Sequence, residues 1–165
     1  MAKRQRRPID QGEFEDPLKN YDSIDVDDFE LALREEQVSA IETKPFVTVD
    51  VKTPLAEVVA QMAEKSIGCV LVTDNDQLVG IFTQRDLLNK VAECYEQVKD
   101  LPVSELMSPD PVSIHEIESP AVAINLMSVG GFRHIPVLDV DGHLVGLIGP
   151  RRTNQYLKKY FPAVS

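Results

Sequence analysis

Apolar residues fall along this chain in short blocks whose period switches between two and nearly four. A β-branched run, Phe46-Val47-Thr48-Val49, precedes Thr53-Pro54, a helix-start signal with proline at the first helical position. Leu55, Val58, Val59 and Met62 then recur at i, i+3, i+4 and i+7, which predicts an amphipathic helix with one buried face. Two apolar strands follow, Cys69 to Val72 and Leu78 to Phe82, joined by the polar turn Asp74-Asn75-Asp76-Gln77. A second helix is predicted from about Gln84, with Leu87, Leu88 and Val91 on one face. The unit reads β-α-β-β-α.

The same pattern returns further on. An offset of 65 carries Val47-Thr48-Val49 onto Val112-Ser113-Ile114, Val58-Val59 onto Ala123-Ile124 and Met62 onto Met127. One residue then enters the hairpin, where Asp74-Asn75-Asp76-Gln77-Leu78-Val79-Gly80 becomes Asp139-Val140-Asp141-Gly142-His143-Leu144-Val145-Gly146, and the offset becomes 66. A tight turn is where added length costs least. Backwards, Val38-Ser39-Ala40-Ile41 falls on Val103-Ser104-Glu105-Leu106, so each unit has a lead-in. The predicted organisation is an extension over 1–37, a first unit over 38–92, a polar linker over 93–102, a second unit over 103–157 and a tail over 158–165. One unit alone buries too little apolar surface for comfortable stability, so two are expected to share a core.

Charge refines this division. Residues 1–7 carry four positive charges, residues 8–44 hold twelve acids against three bases, and residues 45–165 hold fifteen acids against ten bases. An acidic chain is a poor binder of phosphate backbones, which disfavours nucleic acid as the main partner. Within the extension Val26, Phe29, Leu33 and Val38 lie near helical spacing, which predicts a helix over 25–41 that packs on the core or on a partner. No apolar run reaches the roughly 20 residues of a membrane span, and the N-terminus lacks the apolar stretch of a signal peptide, so the expected location is the cytoplasm. Cys69 and Cys94 form no CxxC motif and read as reduced thiols.

Candidate chemistry concentrates at Gly80-Ile81-Phe82-Thr83-Gln84-Arg85-Asp86. A hydroxyl and a carboxylate three residues apart, just after a strand and at a helix start, suit two roles. They cap the helix, or they grip the vicinal hydroxyls of a ribose beside backbone N–H groups that attract phosphate. An enzyme reading finds no support: His115, His134 and His143 are not at metal-ligand spacing, and Gly130-Gly131 lacks the Lys-Ser/Thr of a phosphate-binding loop.

Several segments together resemble the cystathionine-β-synthase-type (CBS) domain, which occurs in tandem as Bateman modules. These are the lead-in Val103-Ser104-Glu105-Leu106-Met107-Ser108, the strand Phe132-Arg133-His134-Ile135-Pro136-Val137, the Leu-Val-Gly that follows the acidic hairpin in both units, and Thr83-Gln84-Arg85-Asp86. The resemblance covers about residues 38–157. It implies an α/β fold of two β-α-β-β-α units packed in pseudo-two-fold symmetry. It also implies a non-catalytic regulatory module that binds an adenosine-containing ligand, AMP, ADP, ATP or S-adenosylmethionine, in a cleft between the units and signals to a partner protein. No other cofactor and no metal is implied, and a homodimer is the expected assembly.

On the family pattern Thr83 and Asp86 hold the ribose, and Val47, Ile67, Gly68, Cys69 and Val70 flank the adenine. Lys44, Arg85, Arg133 and His134 are the candidates for phosphate. The second unit departs from the pattern, since Thr83 maps to Gly149 and Asp86 to Arg152, so its ribose grip is expected to be lost. The rival reading is a ligand-independent dimerisation and protein-interaction module. The two separate on Asp86→Ala, which is expected to abolish a nucleotide-induced rise in melting temperature while leaving unliganded stability nearly unchanged.

Overall fold

A computed structural model describes residues 27–161. The basic run, most of the acidic extension and the last four residues lie outside the described range. In chain order come α1 (Asp28–Glu35), a 3₁₀ turn (Val38–Ala40), β1 (Thr48–Asp50), α2 (Leu55–Glu64), β2 (Cys69–Asp74) and β3 (Gln77–Thr83). A helical stretch follows, α3 (Gln84–Asp86) running into a π turn (Leu87–Val91), then α4 (Tyr95–Val98), a second 3₁₀ turn (Val103–Glu105) and β4 (Ser108–Pro109). The second unit supplies β5 (Ile114–His115), α5 (Pro120–Ser128), β6 (Ile135–Leu138), β7 (Leu144–Ile148) and α6 (Pro150–Leu157).

The two units build two small mixed sheets, ordered β1-β2-β3-β4 and β5-β6-β7. In each, the first strand pairs parallel with the next, and that one pairs antiparallel with its hairpin partner. The first hairpin turns on Asn75 and Asp76, both at positive φ (48° and 65°), the conformation that Asn and Asp tolerate best in a two-residue turn. Cys69 to Val72 are all buried because both faces of β2 are covered, which explains the unbroken apolar run. Val70 and Val72 join Leu55, Val58, Met62 and Phe82 in one core, while Cys69 and Leu71 meet Leu144 and Leu147 of the other unit.

The lead-ins are exchanged. Val103 and Ser104 donate their N–H groups to Thr53 and Val51 at 2.9 and 3.3 Å, and Val38 and Ser39 donate to Glu118 and Glu116 at 2.7 and 3.2 Å. Every residue of the second set relates to the first by the offset of 65, so the repeat has become a physical two-fold. Val103 is fully buried in the first unit's core and Val38 in the second's. Burying each valine contributes about 2 kcal/mol. The exchange continues at the sheet edges, where Ile81 lies opposite Ser108 and the Leu147 N–H donates to the Thr43 carbonyl at 3.0 Å.

Three local expectations are corrected. The helix predicted over 25–41 ends at Glu35, because Glu36 turns extended (ψ 158°) and Val38–Ala40 form a separate 3₁₀ turn; residues 25 and 26 lie outside the described range. What stops the helix is the docking of Val38 and Ser39 as a lead-in onto the second unit. Leu88 is 69% exposed rather than packed, since the π turn widens the helix and only Val91 reaches full burial. The linker is also structural: it carries α4, and the Leu101 and Lys99 carbonyls accept from Leu55 and Ala56, the first N–H groups of α2. Pro54 caps α2 without a side-chain acceptor, so those carbonyls satisfy donors that would otherwise be orphaned.

Candidate functional site

β3 ends on Thr83 in extended conformation, and the chain turns at once into α3, which brings Asp86 back beneath the strand end. The pair makes a closed capping box. The Thr83 N–H and hydroxyl donate to Asp86 Oδ2 at 3.0 and 2.6 Å, and the Asp86 N–H donates to Thr83 Oγ1 at 3.3 Å. The other carboxylate oxygen, Oδ1, accepts from the Ser108 hydroxyl at 3.0 Å and pairs with Lys90 Nζ at 2.8 Å. Lys90 is held there by the carbonyls of Leu106 and Met107. Burial alone would raise the Asp86 pKa, but the bonds from Lys90, Thr83 and Ser108 outweigh it and hold the carboxyl below its ordinary range. Asp86 is therefore a buried anion with every acceptor site engaged, four donors on about four lone-pair positions.

Beside this carboxylate opens a cleft of about 360 Å³ between the units. Thr83, Arg85 and Asp86 form one wall, and Asp110, Val112 and the Phe132-Arg133-His134 segment form the facing one. Arg85, Arg133 and His134 are thus brought together with the hydroxyl-carboxylate pair. Burial first and the neighbouring Arg133 second push His134 below its ordinary pKa, so the imidazole is neutral at pH 7. Gly68 lets this ring approach: a Cβ there would lie 3.2 Å from His134 Cε1 and Nε2.

Other predicted positions lie elsewhere. Val47, Ile67, Cys69 and Lys44 line a second cleft, of about 770 Å³, together with Gly149 and Arg152. Val70 lines neither cleft and is fully buried in the first core. Gly68 and His134 alone touch both clefts, as the wall between them. The reason is the exchange of lead-ins: each cleft takes its helix start from one unit and its opposing segments from the other. The counterparts of Val47, Ile67 and Cys69 across from Asp86 are accordingly Val112, Phe132 and His134. Ser108, Lys90 and Asp110 were missed altogether, although the offset of 65 that relates Ser108 to Thr43 was a usable signal once the two-fold was taken as spatial.

One further cluster needs no ligand. Asp139, Asp141 and His143 place their potential ligand atoms within 4.8 Å of one another, but Asp139 Oδ1 already accepts the Asp141 and His143 N–H groups in the exposed hairpin. Among the described residues no helix is long and apolar enough to cross a membrane.

The family model described as "CBS domain" matches twice, over residues 38–93 and 103–152. The chain belongs to the CBS-domain family. This CBS pair is 30% identical over 116 residues to an uncharacterized 17.7 kDa protein of Acidianus ambivalens, covering 70% of this chain and 69% of that one. It spans only 21% and 19% of two longer CBS domain-containing proteins of Arabidopsis thaliana that it also matches. Among solved structures, the CBS domain protein PAE2072 of Pyrobaculum aerophilum, complexed with AMP, superposes with a TM-score of 0.65 at 22% identity, over 77% of this chain and 99% of that one. The CBS domain pair of MJ0100, in complex with 5′-methylthioadenosine and S-adenosyl-L-methionine, superposes with a TM-score of 0.63 at 23% identity, over 74% and 96%. Both likenesses concern the fold of the CBS pair.

Proposed function

We propose that this CBS pair is a non-catalytic regulatory module that binds an adenosine-containing ligand, with AMP, ADP or ATP preferred, and relays its occupancy to a partner protein. The observation that carries this reading is the Asp86 carboxylate. It stays ionised under burial at the rim of a cleft between two units, beside Thr83 and Ser108, whose hydroxyls both donate to it. Ribose hydroxyls are donors of the same kind, so a nucleoside takes over positions on Asp86 that Ser108 and Thr83 hold in its absence. Ile81, Val112 and Phe132 offer apolar surface for a base, and Arg85 and Arg133 offer charge for phosphate. The AMP and S-adenosylmethionine bound by structurally similar CBS pairs are in keeping with this chemistry.

The test is a thermal-shift panel of AMP, ADP, ATP and S-adenosylmethionine on the full chain. A ligand at one hundred times its Kd stabilises by about 2.7 kcal/mol through linkage, and Asp86→Ala is expected to abolish that gain. A flat response to all four ligands defeats the proposal and favours the interaction-module reading. Val129, Leu88 and Val140, at 79%, 69% and 65% exposure, are the most exposed large apolar side chains among the described residues and are candidates for such docking.

A further inference from the structure

The second cleft is not an empty copy of the first, because its lining charges are not balanced but predominantly positive. The first is lined by Arg85 and Arg133 against Asp86 and Asp110, two cations and two carboxylates. The second is lined by Lys44, Lys65, Arg151 and Arg152 against Glu42 alone. Repeat correspondence shows how this arose: Asp86 becomes Arg152, Asp110 becomes Pro45, Pro109 becomes Lys44 and Gly130 becomes Lys65. Both acids are lost, as is Arg133, whose counterpart is Gly68; three cations are gained together with Glu42 in the place of Met107, while Arg85 is kept as Arg151.

Arg152 occupies the place of the ribose acceptor and cannot act as one, since a guanidinium only donates. Its donors are committed to the carbonyls of Thr43, Pro45 and Leu147, which fix the charge at the base of the cleft. Lys44, Lys65 and Arg151 are exposed and converge from three elements: the lead-in, the end of α2 and the start of α6. The volume, about 770 Å³, suits a small molecule. Four cations around it call for more than one anionic group.

From this excess of positive charge we infer that the second cleft is a separate site for an oligophosphate group and requires no nucleoside. Two sources share that chemistry, a free oligophosphate and the phosphate tail of a nucleotide held at Asp86 that reaches past His134. The inference goes beyond the proposed nucleoside site and does not depend on it.

The experiment is titration calorimetry on the full chain with sodium tripolyphosphate, AMP and ATP, comparing the parent with Asp86→Ala and with the double variant Lys44→Gln, Lys65→Gln. Arg152 is left intact because its three carbonyl bonds support the fold. Tripolyphosphate is expected to bind one-to-one in the micromolar range, equally well to Asp86→Ala, and about tenfold or more weakly to the double variant, as loss of charge-assisted bonds implies. If the double variant also weakens ATP but not AMP, the tail is a source; if ATP is unaffected, the free anion is. Absence of saturable tripolyphosphate binding, or binding that the double variant leaves unchanged, overturns the inference. Loss of AMP binding in Asp86→Ala speaks only to the nucleoside site, so the two readings fail separately.

Discussion

Asp86→Ala is expected to destabilise the unliganded protein, and not to leave it nearly unchanged as the sequence alone suggests, because Asp86 already holds four donors. The substitution removes a capping box, a bond to Ser108 that joins α3 to β4, and the partner of Lys90. Losing the cap costs about 1 kcal/mol. The charge-assisted bond from Ser108, on a side chain only 9% exposed, is worth about 1.5 kcal/mol. The Lys90 pair is discounted to a few tenths, because the lysine is 38% exposed to screening solvent. The sum is about 3 kcal/mol, or about 9 °C in melting temperature at about 3 °C per kcal/mol for a chain of this size.

Calorimetric or circular-dichroism melts of both proteins without ligand measure this gap directly. Its pH dependence is fixed in sign. The folded Asp86 pKa lies below its ordinary 3.8, so its stabilisation is fully present above that value and is lost as pH falls through the lower, folded one. The gap between parent and variant therefore narrows from pH 6 to pH 3. An unliganded loss under about 3 °C, or a gap that widens in acid, refutes this account of Asp86.

Other consequences are equally direct. Ser108→Ala removes a donor that competes with ribose for Asp86 Oδ1, so calorimetry is expected to find AMP bound at least as tightly as by the parent although the unliganded protein melts lower; weaker AMP binding contradicts the exchange of donors. A Cβ at Gly146 would overlap Thr43, and one at Gly80 would overlap Met107; urea unfolding should show a loss of about 2 kcal/mol for Gly146→Ala and less for Gly80→Ala, because methionine can move where β-branched threonine cannot. Burial, only partly offset by Arg152, pushes the Cys69 thiol up to about 12, so a thiol reagent at pH 8 should label one thiol per native chain, Cys94, and both after denaturation. Tyr156 and Tyr160 both donate to the Glu36 carboxylate, at 2.9 and 3.0 Å, which ties α1 to α6; Tyr156→Phe is expected to lower amide protection in α1 about tenfold by hydrogen exchange, and unchanged protection counts against this tie.

What the sequence made legible was whatever depends on neighbours along the chain. Leu55, Val58 and Met62 announced α2, the acidic turn announced the hairpin, and Thr83 with Asp86 announced a helix start whose geometry is a capping box. What stayed hidden depends on which unit faces which. Val47 and Cys69 follow the family pattern in sequence yet stand in the other cleft, since linear order does not reveal that the lead-ins cross over. The tertiary docking of Val38 likewise cut short a helix that spacing alone had extended, and no periodicity in residues 93–102 shows that their carbonyls cap α2.

The exchanged lead-ins have a consequence for how the protein is made. In space the first unit is continuous in the chain, from the strand approach near residue 45 to β4 at Pro109, so a ribosome delivers it in one stretch. The second unit is split. Its opening piece, with Phe29, Val38 and Ile41, is synthesised first and finds its core partners Ile135, Ile148 and Tyr156 only about a hundred residues later. During that interval these apolar side chains have no native surface to cover them. A piece made before the first unit is thus buried only after that unit is complete.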